Sequence, residues 1–272
     1  MSTQREKAER FQELHHGYAP LLLPNPWDQG TARVFEALGF AALATTSSGF
    51  AATLGRLDGS VTRDEALAHA ASIVEATALP VSADLENGFA DEPADVAANI
   101  GLAAETGLAG CSVEDHTGRA DDPIYPVEVA AARVAAAAEA AHRGHARLVL
   151  TARAENYLYR RRDLADTIAR LQSFQVAGAD VLYAPGMTDI DEIRQVVASV
   201  DLPVNVLAFP GGPTVPELAE VGVKRVSVGG SFSLVALGAV ANAARELLHE
   251  GTFGWWELAG AGREVSRAAF TA

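Results

Sequence analysis

Short apolar runs alternate with longer alanine-rich amphipathic stretches along most of the chain. Short runs rich in Leu, Val and Ala are typical of buried parallel strands, whereas apolar positions three or four residues apart are typical of helices. The pattern predicts strands at 21–25, 41–45, 79–84, 110–114, 148–153, 180–185, 202–208 and 225–230. It predicts helices at 28–38, 62–77, 94–106, 127–143, 163–177, 189–200, 214–221 and 232–249.

The repeating order of strand and helix sets the fold class. Helix starts carry capping signals, such as Thr62 followed three residues later by Glu65. Strand–helix units that follow one another without a long linker predict a parallel α/β fold, and eight of them favour a closed (β/α)8 TIM-type barrel. An open doubly wound sheet is the alternative, but no glycine-rich fingerprint follows the first strand. Residues 1–272 are thus predicted to form a single barrel domain with an N-terminal helix and a C-terminal extension.

Composition and charge narrow the function classes. The formal net charge is −14, and no cluster of Lys and Arg forms a stripe, so nucleic acid and anionic membranes are poor partners. Cys111 is the one cysteine, which excludes an intrachain disulfide and suits a reducing cytoplasm. Strand parity points Cys111 towards the helices, as a buried thiol. We find no apolar run long enough for a membrane span and no signal peptide.

Charged side chains end three consecutive predicted strands. Asp84 and Glu86 end strand 3, Glu114 ends strand 4, and Arg153 and Glu155 end strand 5. In barrels of this type the active site lies where the strands end, and neighbouring strands are about 4.8 Å apart. A set of carboxylates suits a hard cation, so we predict Mg²⁺, with Mn²⁺ possible, leaving Arg153 to bind a substrate carboxylate. The alternative is that these acids pair with Arg153 and other basic side chains.

A second candidate element is the segment 45–60 after strand 2, which is long for such a loop and rich in small residues. Ser47, Ser48 and Gly49 can present hydroxyl and backbone N–H groups to an anionic ligand, and Asp58 can reach the same mouth. The alternative is a flexible surface loop. Asn205, a polar residue within predicted strand 7, is a further substrate-binding candidate.

Several motifs together resemble one protein family. The runs "DLENGF", "SVEDH" and "TARAEN", with the segment from Ser48 to Asp58, resemble the isocitrate lyase/phosphoenolpyruvate mutase superfamily in order and separation. This resemblance implies a TIM-type barrel with a swapped C-terminal helix, in a homo-oligomer (a dimer or tetramer). It also implies Mg²⁺ near Asp84, Glu86 and Glu114, largely through water, and a small 2-oxo or dicarboxylic acid bound near Ser48, Gly49 and Arg153.

The sequence also departs from the well-marked members of that family. Their lyases carry a cysteine-containing loop after strand 4, where this chain reads "HTGRADDPIYP". The Lys and Asn of the phosphonate-active members are missing from the same loop, and Glu86 stands where Asp is more common. These departures argue against isocitrate cleavage and against mutase chemistry.

The resulting expectation is a Mg²⁺-dependent lyase that cleaves or decarboxylates a small 2-oxo or 2-hydroxy acid through a metal-stabilised enolate. Arg153, Asp58, His116 and Glu155 are the candidate catalytic residues, and Tyr159 is a further candidate for proton transfer. Two alternatives stay open. One is P–C bond chemistry on phosphonopyruvate or a phosphoenolpyruvate-like substrate, and the other is a barrel that binds a 2-oxo acid without turnover.

Overall fold

The computed structural model describes residues 2–271 and contains one eight-stranded parallel sheet, in the order β1-β8-β7-β6-β5-β4-β3-β2. Strands β1 and β2 end this order, and the backbone N–H of Ala44 donates to the carbonyl of Pro24 at 3.1 Å, so the barrel is nearly closed. The predicted (β/α)8 barrel is therefore confirmed. The strands are β1 (Leu21–Leu23), β2 (Leu43–Ala44), β3 (Val81–Asp84), β4 (Gly110–Glu114), β5 (Val149–Arg153), β6 (Val181–Tyr183), β7 (Val204–Leu207) and β8 (Arg225–Ser227).

Helices surround the sheet, and each of the eight predicted helices is present close to its predicted bounds. Thr62 forms the capping box expected with Glu65. Within residues 2–271 the helices are α1 (Gln4–Leu14), α2 (Gln29–Ala37), α3 (Ser47–Thr53), α4 (Arg63–Ala76), α5 (Pro93–Ala104), α6 (Val127–Arg143), α7 (Leu164–Val176), α8 (Ile190–Ala198), α9 (Val215–Glu220), α10 (Ser231–His249) and α11 (Trp256–Phe270).

Helix α3 corrects the expectation of a loop over 45–60. Its sequence, "SSGFAAT", has too few large apolar residues to show a helical period. The side chain of Thr46 caps the helix by accepting the N–H of Gly49 at 3.3 Å. The helix also packs against α10. A local cap and a distant contact thus create an element that the apolar pattern did not predict.

The main apolar core lies between the strands and the surrounding helices. Cys111 and Val113 on β4 point into it and are fully buried, as strand parity predicted. Burial raises the pKa of the Cys111 thiol to about 12, so this thiol is a structural group. The alternate residues of the strands face the barrel interior, and several of them are polar.

Helix α1 covers the amino-terminal end of the barrel. Phe11 is fully buried in a second apolar cluster formed mainly with residues at the starts of strands. A Cβ atom on Gly110 would lie 2.8 Å from the Phe11 ring, so the closeness of this contact requires glycine there. Helix α1 therefore closes the amino-terminal end of the barrel, whereas a cavity opens at the carboxyl ends of the strands.

The C-terminal helices behave differently from each other. Helix α11 packs against α2, whereas Ser233 is the one buried residue of α10. Trp255 and Trp256 stack on each other with ring centroids 5.0 Å apart, and Trp256 is exposed. Helix α10 is long and apolar enough to cross a membrane, although we had expected no such segment from the sequence. A single such helix is weak evidence for a membrane, and the exposed face fits a protein partner equally well.

Candidate functional site

Three neighbouring strand ends meet at the guanidinium of Arg153. In the sheet, Glu114 lies opposite Arg153, and Asp84 lies opposite Ser112 one strand away. The guanidinium of Arg153 is 2.9 Å from an oxygen of Asp84, 3.1 Å from Glu114 and 2.9 Å from Glu155. Burial alone would lower the pKa of Arg153, but these carboxylates outweigh it and raise that pKa well above its usual value. Arg153 is thus held by acids, as in the alternative that we had considered, and is not left free.

Glu86 differs from the other acids of this cluster because it forms no ion pair with a described residue. Its φ angle of 47° places it in the left-handed region, at the turn that follows β3. One carboxylate oxygen, Oε1, is buried without a hydrogen-bond partner. Burial, together with the charges of Asp84, Glu114 and Asp58, raises the pKa of Glu86 to about 8. A buried acid oxygen with no partner marks a place where a cation fits.

The cation would not be held by direct bonds alone. Among the described residues, no group of three or more His, Cys, Asp or Glu side chains is close enough together to hold a metal ion directly. Asp84, Glu86 and Glu114 nevertheless present carboxylate oxygens to one region. Such a set fits a hydrated hard cation, because Mg²⁺ usually keeps several of its waters.

The start of α3 lies beside this acid cluster. The backbone N–H of Ser47 donates to Asp84 at 3.2 Å, and the hydroxyl of Ser48 lies 3.1 Å from that of Thr46. Gly49 is buried, and its N–H is engaged by the Thr46 cap. A Cβ atom on Gly49 would lie 2.5 Å from Thr46 and 3.1 Å from Trp27. Gly49 therefore supports the packing of α3 and does not itself line the cavity.

A cavity of about 190 Å³ opens at the carboxyl ends of the strands. It is smaller than the cavities of about 300–1,000 Å³ that hold drug-sized ligands, so it suits a small metabolite. Ser47, Ser48, Asp58, Asp84, Arg153 and Asn205 were all proposed from the sequence, and all of them line it. Other lining residues include Asn25, Thr45, Ser82, Ser112, Tyr183, Arg225 and Ser227.

The candidate proton-transfer groups lie around the rim and behind Arg153. The ring of His116 stacks on Tyr159 with centroids 4.2 Å apart, and its Nδ1 is 3.6 Å from Glu114. Glu155 is almost fully buried, which raises its pKa although Arg153 opposes the shift. Loss of hydration also raises the pKa of Asp58, while a hydrogen bond from Ser47 opposes it. The structure thus brings all four groups near the acid cluster.

Sequence reasoning missed two arginines near the site. Arg133 of α6 is buried and donates to the backbone carbonyls of Asn87, Ala90 and Asp91, so it holds the loop that follows Glu86. Arg225 of β8 lines the cavity floor. Of the two, only Arg225 could have been found from the sequence, because strand parity places it on the same inward face as Ser227. Arg133 depends on a contact across 46 residues of sequence, which no local pattern reveals.

Comparison with known proteins adds an independent observation. The family described as phosphoenolpyruvate phosphomutase matches residues 11–248. An uncharacterized protein of Mycobacterium tuberculosis is 36% identical over 86% of this chain and 87% of its own length. The 2-methylisocitrate lyase of Escherichia coli is 28% identical over 71% of this chain and 68% of its own. A solved structure from Burkholderia cenocepacia, assigned only as a lyase/mutase, is 52% identical with a TM-score of 0.93, covering 97% of this chain and 95% of that one.

Proposed function

The chain belongs to the phosphoenolpyruvate mutase/isocitrate lyase superfamily of lyases and mutases, and from this we propose a specific activity for it. We propose a Mg²⁺-dependent lyase that breaks a C–C bond in a small 2-oxo or 2-hydroxy carboxylic acid. The observation that carries the proposal is the convergence of Asp84, Glu114 and Arg153 from adjacent strands beside the unpartnered oxygen of Glu86.

The acids at the strand ends would hold the cation. Asp84, Glu86 and Glu114 supply only oxygen donors, which Mg²⁺ and Mn²⁺ prefer. When bound, the cation would supply Lewis-acid stabilisation of the negative oxygen that develops as the C–C bond breaks. Its charge would also favour the ionised form of Glu86, whose pKa is otherwise raised to about 8.

The substrate carboxylate would bind at Arg153, directly beside the acid cluster. Arg153 is fixed by its three carboxylate partners, so its guanidinium is oriented before a substrate arrives. Ser48 and Asn205 line the same space and can donate hydrogen bonds. This arrangement would hold the carboxylate of a 2-oxo acid at Arg153, next to the acids that would bind the cation.

Proton transfer would fall to a side chain near the rim. His116 is half-shielded by its stacking on Tyr159 and lies beside Glu114. It would exchange a proton with a substrate bound in the cavity. Loss of hydration raises the pKa values of Glu155 and Asp58 above those of ordinary carboxyl groups, so both are further candidates. His116 is the group we favour, because it belongs to the segment in which this chain departs from the cysteine-bearing lyases.

P–C bond chemistry is the second candidate, and the phosphomutase family match favours it specifically. The segment after β4 argues against it, because that segment contains neither the Lys nor the Asn noted above. Its positive side chain is Arg119, which pairs with Asp122 at 3.8 Å. A phosphonate substrate would therefore meet a different set of groups from those of the phosphonate-active members.

A substrate panel separates these candidates. The purified protein is mixed with Mg²⁺ and oxaloacetate, 2-methylisocitrate, 2,3-dimethylmalate or phosphonopyruvate, and the products are followed by NMR, including ³¹P. A lyase releases pyruvate, another oxo acid or CO₂, and excess EDTA stops it. A change confined to the ³¹P spectrum would favour P–C chemistry. Mg²⁺-dependent thermal shifts without any product would contradict a lyase and support a binding protein.

A further inference from the structure

Arg225 is a cation at the floor of the cavity. It is the first residue of β8, it lies opposite Asn205 of β7 in the sheet, and its side chain is 4% exposed. It shares the inward face of β8 with Ser227, and both line the cavity. TIM-barrel interiors are usually filled by branched apolar side chains, so a guanidinium at this level is unusual.

All the hydrogen-bond partners of Arg225 are neutral. Its Nε donates to Asn205 Oδ1 at 2.9 Å, and its Nη2 donates to Thr151 Oγ1 at 3.1 Å. Its Nη1 lies 3.2 Å from Nε2 of His15. Nδ1 of that histidine is 2.7 Å from the carbonyl of Phe11, so Nδ1 carries the proton and Nε2 accepts from Arg225. The histidine is therefore neutral and brings no negative charge.

Among the residues that the structure describes, none forms an ion pair that compensates the charge of Arg225. No carboxylate of residues 2–271 forms an ion pair with it, whereas Arg153 pairs with three acids and Arg170 pairs with Asp115 and Asp166. A guanidinium has five N–H donors, and the three contacts use three of them. A buried cation without an anion is costly, and the cost falls when an anion binds.

We propose that Arg225 forms an anion-binding subsite that receives the second acidic group of the substrate. This inference rests on the proposed function, in which Arg153 and the acid cluster hold the 2-oxo acid end. The cavity then runs from an acidic, cation-binding mouth to a basic floor. A small 2-oxo acid with a second carboxylate or phosphonate can bind at the mouth and at Arg225 together. A 2-oxo acid with one anionic group can bind only at the mouth.

Binding measurements with three probes test this subsite. The probes are pyruvate, 3,3-difluorooxaloacetate and phosphonopyruvate, each titrated calorimetrically in the presence of Mg²⁺. The unaltered protein should bind at least one of the two dianionic probes tenfold or more tighter than pyruvate. The tighter of the two then distinguishes a carboxylate from a phosphonate as the second group.

Variants of Arg225 separate a binding role from a structural one. Arg225→Met should remove the tenfold preference while the affinity for pyruvate stays within twofold, and Arg225→Lys should keep part of the preference. If Arg225→Met weakens all three probes equally, or weakens none, the subsite is wrong. If the unaltered protein binds no probe, the proposed function fails together with the subsite.

Asn205→Asp provides a test that does not depend on how Arg225→Met folds. The new carboxylate would take the place of the amide oxygen now 2.9 Å from Arg225 Nε and would compensate its charge from within the chain. We expect a higher Tm and loss of the preference for dianionic probes. An Asn205→Asp protein that keeps the full preference would overturn the proposal.

Discussion

At the level of single residues, Arg153 forms three ion pairs inside this barrel, whereas other charged groups there form none. Strand ends and parity predicted that Asp84, Glu114 and Arg153 would converge, because both follow from local sequence. Which of these charges form ion pairs was not predictable, since pairing depends on which side chains meet after folding. Arg153 pairs with three acids, and within residues 2–271 neither Glu86 nor Arg225 forms an ion pair of its own.

His15 provides a test of this arrangement through pH. Burial first, and the charge of Arg225 second, lower its pKa to about 3 from an ordinary value of 6.5. Between these values the unfolded chain binds a proton that the folded chain does not, so the free energy of unfolding falls as pH falls below 6.5. The loss should reach about 2 kcal/mol at pH 5.

Urea unfolding at pH 7.5 and pH 5 measures that loss in the unaltered protein and in His15→Gln. Other titrating groups contribute equally to both proteins, so the His15→Gln chain should lose about 2 kcal/mol less between the two pH values. Equal losses would show that His15 is not held neutral against Arg225.

At the scale of elements, the strands and the main helices were predictable and α3 was not. The eight strand–helix units follow from apolar periodicity, which each segment carries by itself. Helix α3 depends on the Thr46 cap and on packing against α10, so its Ser- and Gly-rich sequence gives no local signal. The loop after β3 is similar, because Arg133 holds it from a distant helix.

Gly49→Ala tests the role of α3. The added Cβ would meet Thr46 at 2.5 Å, and rotating Thr46 away would remove its cap on the Gly49 N–H. We expect a loss of about 1–3 kcal/mol in the free energy of unfolding, measured in urea. Displacement of Ser47 and Ser48 should also weaken ligand binding.

Gly101→Ala is the matched control for this substitution. Gly101 lies within α5, and nothing lies within 4 Å of its added Cβ. Alanine there should stabilise the protein by about 0.5–1 kcal/mol. If Gly49→Ala proves as harmless as Gly101→Ala, the tight packing at the start of α3 is not needed.

At the level of the whole molecule, α10 stands out because most of its apolar side chains are exposed to solvent. Its apolar side chains Leu234, Val235, Leu237, Val240, Leu247 and Leu248 are all exposed. An exposed apolar face of this kind on a folded chain is typical of a protein interface. It agrees with the homo-oligomer and the swapped C-terminal helix expected from the family resemblance, which remain predictions.

Light scattering after size exclusion tests that prediction. The unaltered protein should run as a dimer or tetramer, and Val240→Asp should shift it towards the monomer, because the new charge would be buried in the interface. Val176→Asp is the control, since Val176 on α7 is also highly exposed but is not part of this face. A monomeric unaltered protein, or an assembly that Val240→Asp leaves unchanged, would contradict the prediction.

The proposed reaction depends on a divalent cation held at the strand ends of β3 and β4, and Mn²⁺ electron paramagnetic resonance can detect such a site. Addition of the protein to Mn²⁺ should reduce the signal of the free ion, with about one Mn²⁺ bound per chain. Oxalate should then change the spectrum of the bound ion. Asp84→Asn, which keeps the shape of the side chain, should weaken Mn²⁺ binding at least tenfold, whereas Asp91→Asn on the following loop should not. If Asp84→Asn binds Mn²⁺ as tightly as the unaltered protein, or if the unaltered protein binds none, the proposed cation site is wrong.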